Sequence, residues 1–338
     1  MQAVLVGLGA VGGRAARQLL SAHGLTRLTV LSRHPDRAVP TAALLGQPGV
    51  VGLQRLTQAN FHAALAGADA VLLASPAPGR HWAAAAVAAG VPVVSVSDEP
   101  DEARSLLHLG PDAARAGVVV AAGAGMAPGL SCLLASWAVH QLAQAEEVHV
   151  ASLGTGGPAC ARRHHAALRE AVEERRAGEW VRRPPASGRE LVWFPGEVGG
   201  ADCYRVNRAG PLLLGRAFPE LSVVTTRSAA SRRDRMTSWL PMLRRPHPEG
   251  TVGAVWVEVR GRAGGLAESK VLGSSGRPAL VAGLVAATAL VWAVRGRLRP
   301  GAGGLAELVS QPGAFLAELT ELGLPVYEFE GTTPAPTW

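Results

Sequence analysis

Residues 3–6 form an unbroken apolar run of strand length, a glycine-rich stretch follows at once, residues 14–20 read as helix, and a second β-branched run occupies 28–31. An apolar run without polar alternation is the pattern of a strand buried on both faces, as in a parallel sheet. The theme recurs. Short apolar runs at 49–53, after Asp69, at 91–96 and at 118–122 are separated by helical stretches at 81–89, stopped by Gly90, and at 101–115. The run after Asp69 closes in a Ser75-Pro76 turn. Strands alternating with helices predict an α/β fold with a doubly wound parallel sheet. A second glycine-rich turn, 123–131, leads into an apolar helix at 132–143 and a strand at 147–153.

Beyond residue 145 the pattern changes to polar, arginine-rich and proline-punctuated sequence, with strand-like pieces at 191–194, 221–226 and 252–260. The last continues through 261–265 into 267–272, a hairpin pattern. From 277 the chain returns to alanine-rich helix, then a helix at 315–322 and a short strand at 326–329. The division this predicts is a first domain of 1–145 plus 273–338 and a mixed α+β second domain of 146–272.

The first turn carries the clearest chemistry. Gly7, Gly9 and Gly12 stand in G-x-G-x-x-G spacing between a strand and a helix, the context that makes this motif a dinucleotide-binding signal. Gly7 allows the tight turn, Gly9 lets the backbone approach a pyrophosphate, and Gly12 permits close packing, while Ala10 and Val11 bring helix N–H groups and the positive dipole end to the phosphates. Where an NAD-selective site commonly has an acid after the second strand, this chain has Ser32-Arg33. A hydroxyl and a guanidinium suit a 2′-phosphate, which favours NADP(H); Asp36 is the alternative partner for a ribose. Ser75 and Pro76, and Gly125 and Pro128 of the second glycine turn, are expected along the same cofactor crevice, since ligands bind at the carboxyl ends of such strands.

Charge and composition narrow the partners. Lys+Arg is 33 against 26 Asp+Glu, for a net charge of +7, and Lys270 is the only lysine. The arginines are scattered without interleaved aromatics, so no nucleic-acid partner is expected. Cys132, Cys160 and Cys203 show no C-x-x-C spacing, which suggests a reducing compartment. Met1 leads straight into the first strand, leaving no room for a signal peptide. The uncharged run 279–294 would span about 24 Å as a helix, short of a bilayer core of roughly 30 Å, so a buried helix is expected and no membrane partner. These features predict a cytoplasmic protein acting on a small molecule. Its candidate proton donors are His164 and His165, since imidazole titrates near neutrality. Arg163 and Lys270 are candidate substrate-binding cations. Cys160 and His164 have i, i+4 spacing, but two ligands do not make a metal site and none is assigned.

The NADP-type turn, Gly125-Met126-Ala127-Pro128-Gly129-Leu130, the hairpin, the helix ending near Gly296 and Pro300-Gly301 before a terminal helix together resemble the saccharopine dehydrogenase (saccharopine reductase) superfamily. The resemblance implies an NADP-binding Rossmann domain with an inserted substrate domain, C-terminal helices returning to the first domain, often a homodimer, and reduction of a C=N or C=O bond in a small, carboxylate-bearing substrate. Two family carboxylates are missing. Val93-Val94-Ser95 replaces a Tyr-x-Asp, and Met126-Ala127-Pro128-Gly129 replaces an Asp-Pro-Gly segment. Alternatives within this reading are a C=C reductase and a non-catalytic NADP-binding regulatory or scaffold protein.

Overall fold

The structure, a computed structural model, describes residues 1–329 except 23, 77, 243, 244, 249, 264 and 265. The first half of the chain builds β1 (Gln2–Val6), α1 (Ala10–Ala22), β2 (Arg27–Ser32), α2 (Pro35–Ala43), β3 (Val51–Arg55), α3 (Gln58–Leu65), β4 (Ala70–Leu73), α4 (Arg80–Ala88), β5 (Val93–Ser95), α5 (Pro100–Leu107), α6 (Gly110–Arg115), β6 (Val119–Ala121) and α7 (Leu130–Val139). The second half continues with β7 (Gln144–Leu153), α8 (Pro158–Ala167), β8 (Val172–Arg176), β9 (Glu179–Arg183), β10 (Glu190–Phe194), β11 (Gly199–Arg205), α9 (Gly210–Ala217), β12 (Val223–Ala229), α10 (Arg232–Thr237), β13 (Gly253–Ala263) and β14 (Leu266–Gly276). It closes with α11 (Pro278–Val294), β15 (Gly301–Gly303), α12 (Leu305–Leu308), α13 (Pro312–Glu321) and β16 (Tyr327–Phe329).

The expected α/β architecture is observed. Seven parallel strands lie in the order β15-β6-β5-β4-β1-β2-β3, and a second, mixed sheet runs β10-β11-β12-β7-β13-β14-β16 with the β8–β9 hairpin attached to β12. β1 sits between β2 and β4, so Val4, Leu5 and Val6 are buried on both faces. Leu5, Leu28 and Val30 pack into one core, with α1 and α11, while Val4, Leu31 and Val71 pack into another, with α3 and α4.

Three elements differ from the sequence pattern. The single helix over 101–115 is two, α5 and α6, because Pro111 cannot donate to a continuing ladder and instead sits in the first turn of α6. The seventh strand, β15, has the sequence Gly-Ala-Gly, which has no strand propensity of its own and is fixed by its register with Val119–Ala121. The chain's end divides between the sheets: β15 joins the first, whereas β16 pairs with β14 of the second. Run 279–294 lies within α11, a 17-residue helix almost wholly buried against α1. Among the described residues, no helix is long and apolar enough to cross a membrane.

Candidate functional site

The first glycine turn joins β1 to α1 at the carboxyl edge of the parallel sheet. Gly7 has φ +99°, and a Cβ there would lie 2.9 Å from both the Ala74 carbonyl oxygen and Ser75 Cβ, so the turn is pressed against the end of β4. At Gly12 a Cβ would fall 2.1 Å from the Gly7 carbonyl oxygen, which makes glycine obligatory for the helix to pack this closely. At Gly9 the same construction meets nothing within 4 Å. The middle glycine therefore faces open space beside the N-terminus of α1, whose first turn carries no acidic residue. Free helix N–H groups, a positive dipole end and an open backbone fit a pyrophosphate.

At the end of β2, the Ser32 hydroxyl accepts from the His34 N–H at 3.2 Å. Arg33 is exposed, and among the described residues its guanidinium has no hydrogen bond or ion pair. Arg55, exposed at the end of β3, is in register with Ser32 and adds a second cation there that the sequence pattern did not disclose. Asp36 lies in the first turn of α2, where its charge complements the helix dipole.

The second glycine turn faces the first across a crevice. Gly129, at φ +122°, comes so close to Gly125 that a Cβ would lie 2.1 Å from its carbonyl oxygen, and the Gly125 N–H donates to the Pro128 carbonyl at 3.1 Å. Val11 from α1 and Met126, Ala127 and Pro128 from this turn line one cavity of about 90 Å³, closed by Ser152 of β7 and Thr155 just after it. Pro76 is exposed beside the first turn.

The polar wall of that cavity is Asp98 and Arg208. They form an ion pair; Arg208 also donates through Nε to Ser228 Oγ at 3.2 Å and through Nη2 to His164 Nδ1 at 3.1 Å. Ser228 Oγ lies 2.7 Å from Ser152 Oγ, and the Ala209 N–H donates to the Asp98 carbonyl at 2.9 Å. The three donor atoms of Arg208 are thus committed, and Asp98 is the group whose charge faces the cavity. Asp98 stands three residues after Ser95, so the carboxylate absent from β5 has a counterpart in the following turn. Its signal was a Ser-Asp-Glu-Pro stretch at the carboxyl edge of the sheet; Arg208 carried none, because only the β11–α9 connection brings it there.

The candidate catalytic and substrate-binding residues are dispersed. His164 reaches the crevice wall, but burial first and the Arg208 guanidinium second push its pKa down to about 3. It stays neutral near pH 7 and accepts from Arg208, which is the opposite of the proton donor expected from its residue type. His165 points to the other side of α8, where Nε2 lies 2.9 Å from the Leu240 carbonyl. Arg163 is bound to Glu170 at 2.8 Å and to the Asn207 carbonyl at 3.0 Å, a brace between α8 and the Arg208 segment. Lys270 pairs with Glu268 at 3.3 Å on β14 and does not line the crevice. Cys160 does line it, its thiol pushed up by burial and by Asp98. Among the described residues no three metal-ligating side chains come together.

No protein-family model matches the sequence, and no curated protein matches it. Solved structures do share its architecture. Saccharopine dehydrogenase (L-Glu forming) from Saccharomyces cerevisiae superposes with a TM-score of 0.67 at 15% identity, over 97% of this chain and 100% of that one. The C. glutamicum DAP dehydrogenase in complex with DAP gives 0.51 at 15% identity, over 96% and 99%. An engineered D-amino acid dehydrogenase bound to NADP+ gives 0.50 at 15% identity, also over 96% and 99%. What these structures share with the chain is the fold, a Rossmann-like parallel sheet joined to a second, mixed sheet.

Proposed function

We propose that the protein is an NADPH-dependent oxidoreductase of saccharopine-dehydrogenase type that reduces a C=N bond, or a C=O bond, of a small carboxylate-bearing substrate. The observation that carries this reading is the convergence of both glycine turns on one cavity whose polar wall is the Asp98–Arg208 pair. NADPH would supply the hydride. Gly7, Gly9, Ala10, Val11 and Gly12 would hold its pyrophosphate, and Arg33 with Ser32 its 2′-phosphate. Arg208 holds Asp98 in place, so its carboxylate faces the cavity. That charge stabilises a protonated imine and repels a developing alkoxide, which favours C=N over C=O. The Cys160 thiol, held protonated, borders the same space. An amino-acid-derived substrate is supported by the neighbours, one a saccharopine dehydrogenase, one bound to DAP and one a D-amino acid dehydrogenase.

The test is a panel of amines paired with 2-oxo acids and aldehydes, read by NADPH oxidation. At least one pair should be turned over, and Asp98→Asn should lower kcat/KM about a hundredfold while leaving NADPH affinity unchanged. Tight NADPH binding with no turnover across the panel would favour the non-catalytic reading; turnover confined to enoyl substrates would favour C=C reduction.

A further inference from the structure

Many arginines between residues 146 and 272 are paired with carboxylates. Glu174, fully buried, holds Arg176, Arg183 and Arg205, while Arg227 is bound to Glu190. The face of α8 turned away from the crevice gathers arginines without such partners beside an apolar wall. Cys160 lines the crevice and His164, four residues on, is bonded to its wall at Arg208; Arg162, His165 and Arg169 fall on the far side of the helix and its final turn. Against that far side lies the segment from Trp239, tethered by the contact of His165 Nε2 with the Leu240 carbonyl at 2.9 Å. The space between them is a cavity of about 640 Å³, within the range of roughly 300–1,000 Å³ typical of small-molecule sites.

Its lining combines three guanidiniums with apolar surface. Arg162, Arg169 and Arg245 border it; among the described residues no carboxylate does, and none of the three side chains has a hydrogen bond or ion pair. Glu170, the acid beside Arg169, is already taken by Arg163 and Asn207. Cations bordering one cavity repel one another, Glu170 offsets only the charge of Arg169, and a bound anion relieves the rest. The remaining wall is apolar, chiefly Trp239, Leu240 and Met242, and Trp239 is left 71% exposed. A bare phosphate would leave Trp239 unused, and an uncharged ring would leave the arginines unpaired.

We propose that this cavity is a second ligand site, separate from the crevice, which binds a small organic anion with a flat aromatic body, an aryl carboxylate being the simplest case. The carboxylate takes bidentate hydrogen bonds from the arginines, and the ring stacks on Trp239. The cavity shares no lining residue with the crevice, so the two fill independently.

The test is calorimetric titration of the full-length protein with 2-naphthoate, its neutral isostere 2-naphthamide and inorganic phosphate. Naphthoate should bind at one site at least about tenfold more tightly than either. The double substitution Arg169→Gln with Arg245→Gln should weaken it at least about tenfold, and Trp239→Ala about fivefold or more. These side chains are exposed, so unfolding midpoints should stay put, and saturating NADPH should not displace the probe. Equal binding of naphthamide, equal binding of phosphate, indifference to the substitutions, displacement by NADPH or no binding at all would each overturn the proposal.

Discussion

His164 lies on α8 with Nδ1 3.1 Å from Arg208 Nη2. Burial, and then that guanidinium, hold its pKa at about 3, against about 6.5 for the unfolded chain. Between those values the unfolded chain binds the extra proton, so this residue's contribution to stability is complete above about pH 6.5 and is lost as the pH falls towards 3. His164→Gln should therefore flatten the decline of the unfolding midpoint between pH 7 and pH 4.5 relative to the unsubstituted protein; an identical slope would show that His164 is not buried neutral. At this scale little of the site was legible. The sequence offers the imidazole, the carboxylate and the guanidinium as separate letters, and Asp98 and Arg208 meet across 110 positions. Their pairing fixes the charges that surround His164, and no local pattern encodes it.

The strand, turn and helix of β1 and α1 form the element from which most could be read. An apolar run needs no periodicity when both faces are buried, and glycine spacing reports backbone geometry directly. The structure separates the three glycines by role, and substitutions can do the same. Gly12→Ala forces a Cβ onto the Gly7 carbonyl oxygen and should destabilise the fold by about 2 kcal/mol or more, read from denaturant midpoints. Gly9→Ala enters open space and should leave the midpoint within about 0.5 kcal/mol, yet weaken NADPH at least about tenfold. A Gly9→Ala protein that binds NADPH normally would contradict the placement of the pyrophosphate. The β8–β9 hairpin marks the opposite extreme. Its sequence, Val-Glu-Glu-Arg-Arg and then Glu-Trp-Val-Arg-Arg, reads as solvated charge, but it folds because Glu174 is enclosed by Arg176, Arg183 and Arg205. Electrostatic satisfaction replaces hydrophobic alternation there, and an alternation pattern does not register it.

Across the whole molecule, the turn that follows β7 of the second sheet reaches the carboxyl edge of the parallel sheet and touches the first glycine turn itself. A Cβ at Gly157 would lie 2.8 Å from Ala10 Cβ, and one at Gly156 would lie 3.4 Å from Val11. Arg216 of α9 bonds Glu307 of α12 at 2.9 Å, and the 209–98 backbone bond ties the start of α9 to the turn after β5 beside the cavity. That the chain changes character near residue 145 was legible from its composition; the crevice was legible only from its glycine turns. The central claim is that these turns and the end of β2 select NADPH. The direct measurement is fluorescence titration of the protein with NADPH and NADH, alongside Arg33→Ala. The account predicts at least about tenfold tighter binding of NADPH, with Arg33→Ala costing NADPH affinity and sparing NADH. Equal affinity for the two nucleotides, or a preference for NADH, would contradict it.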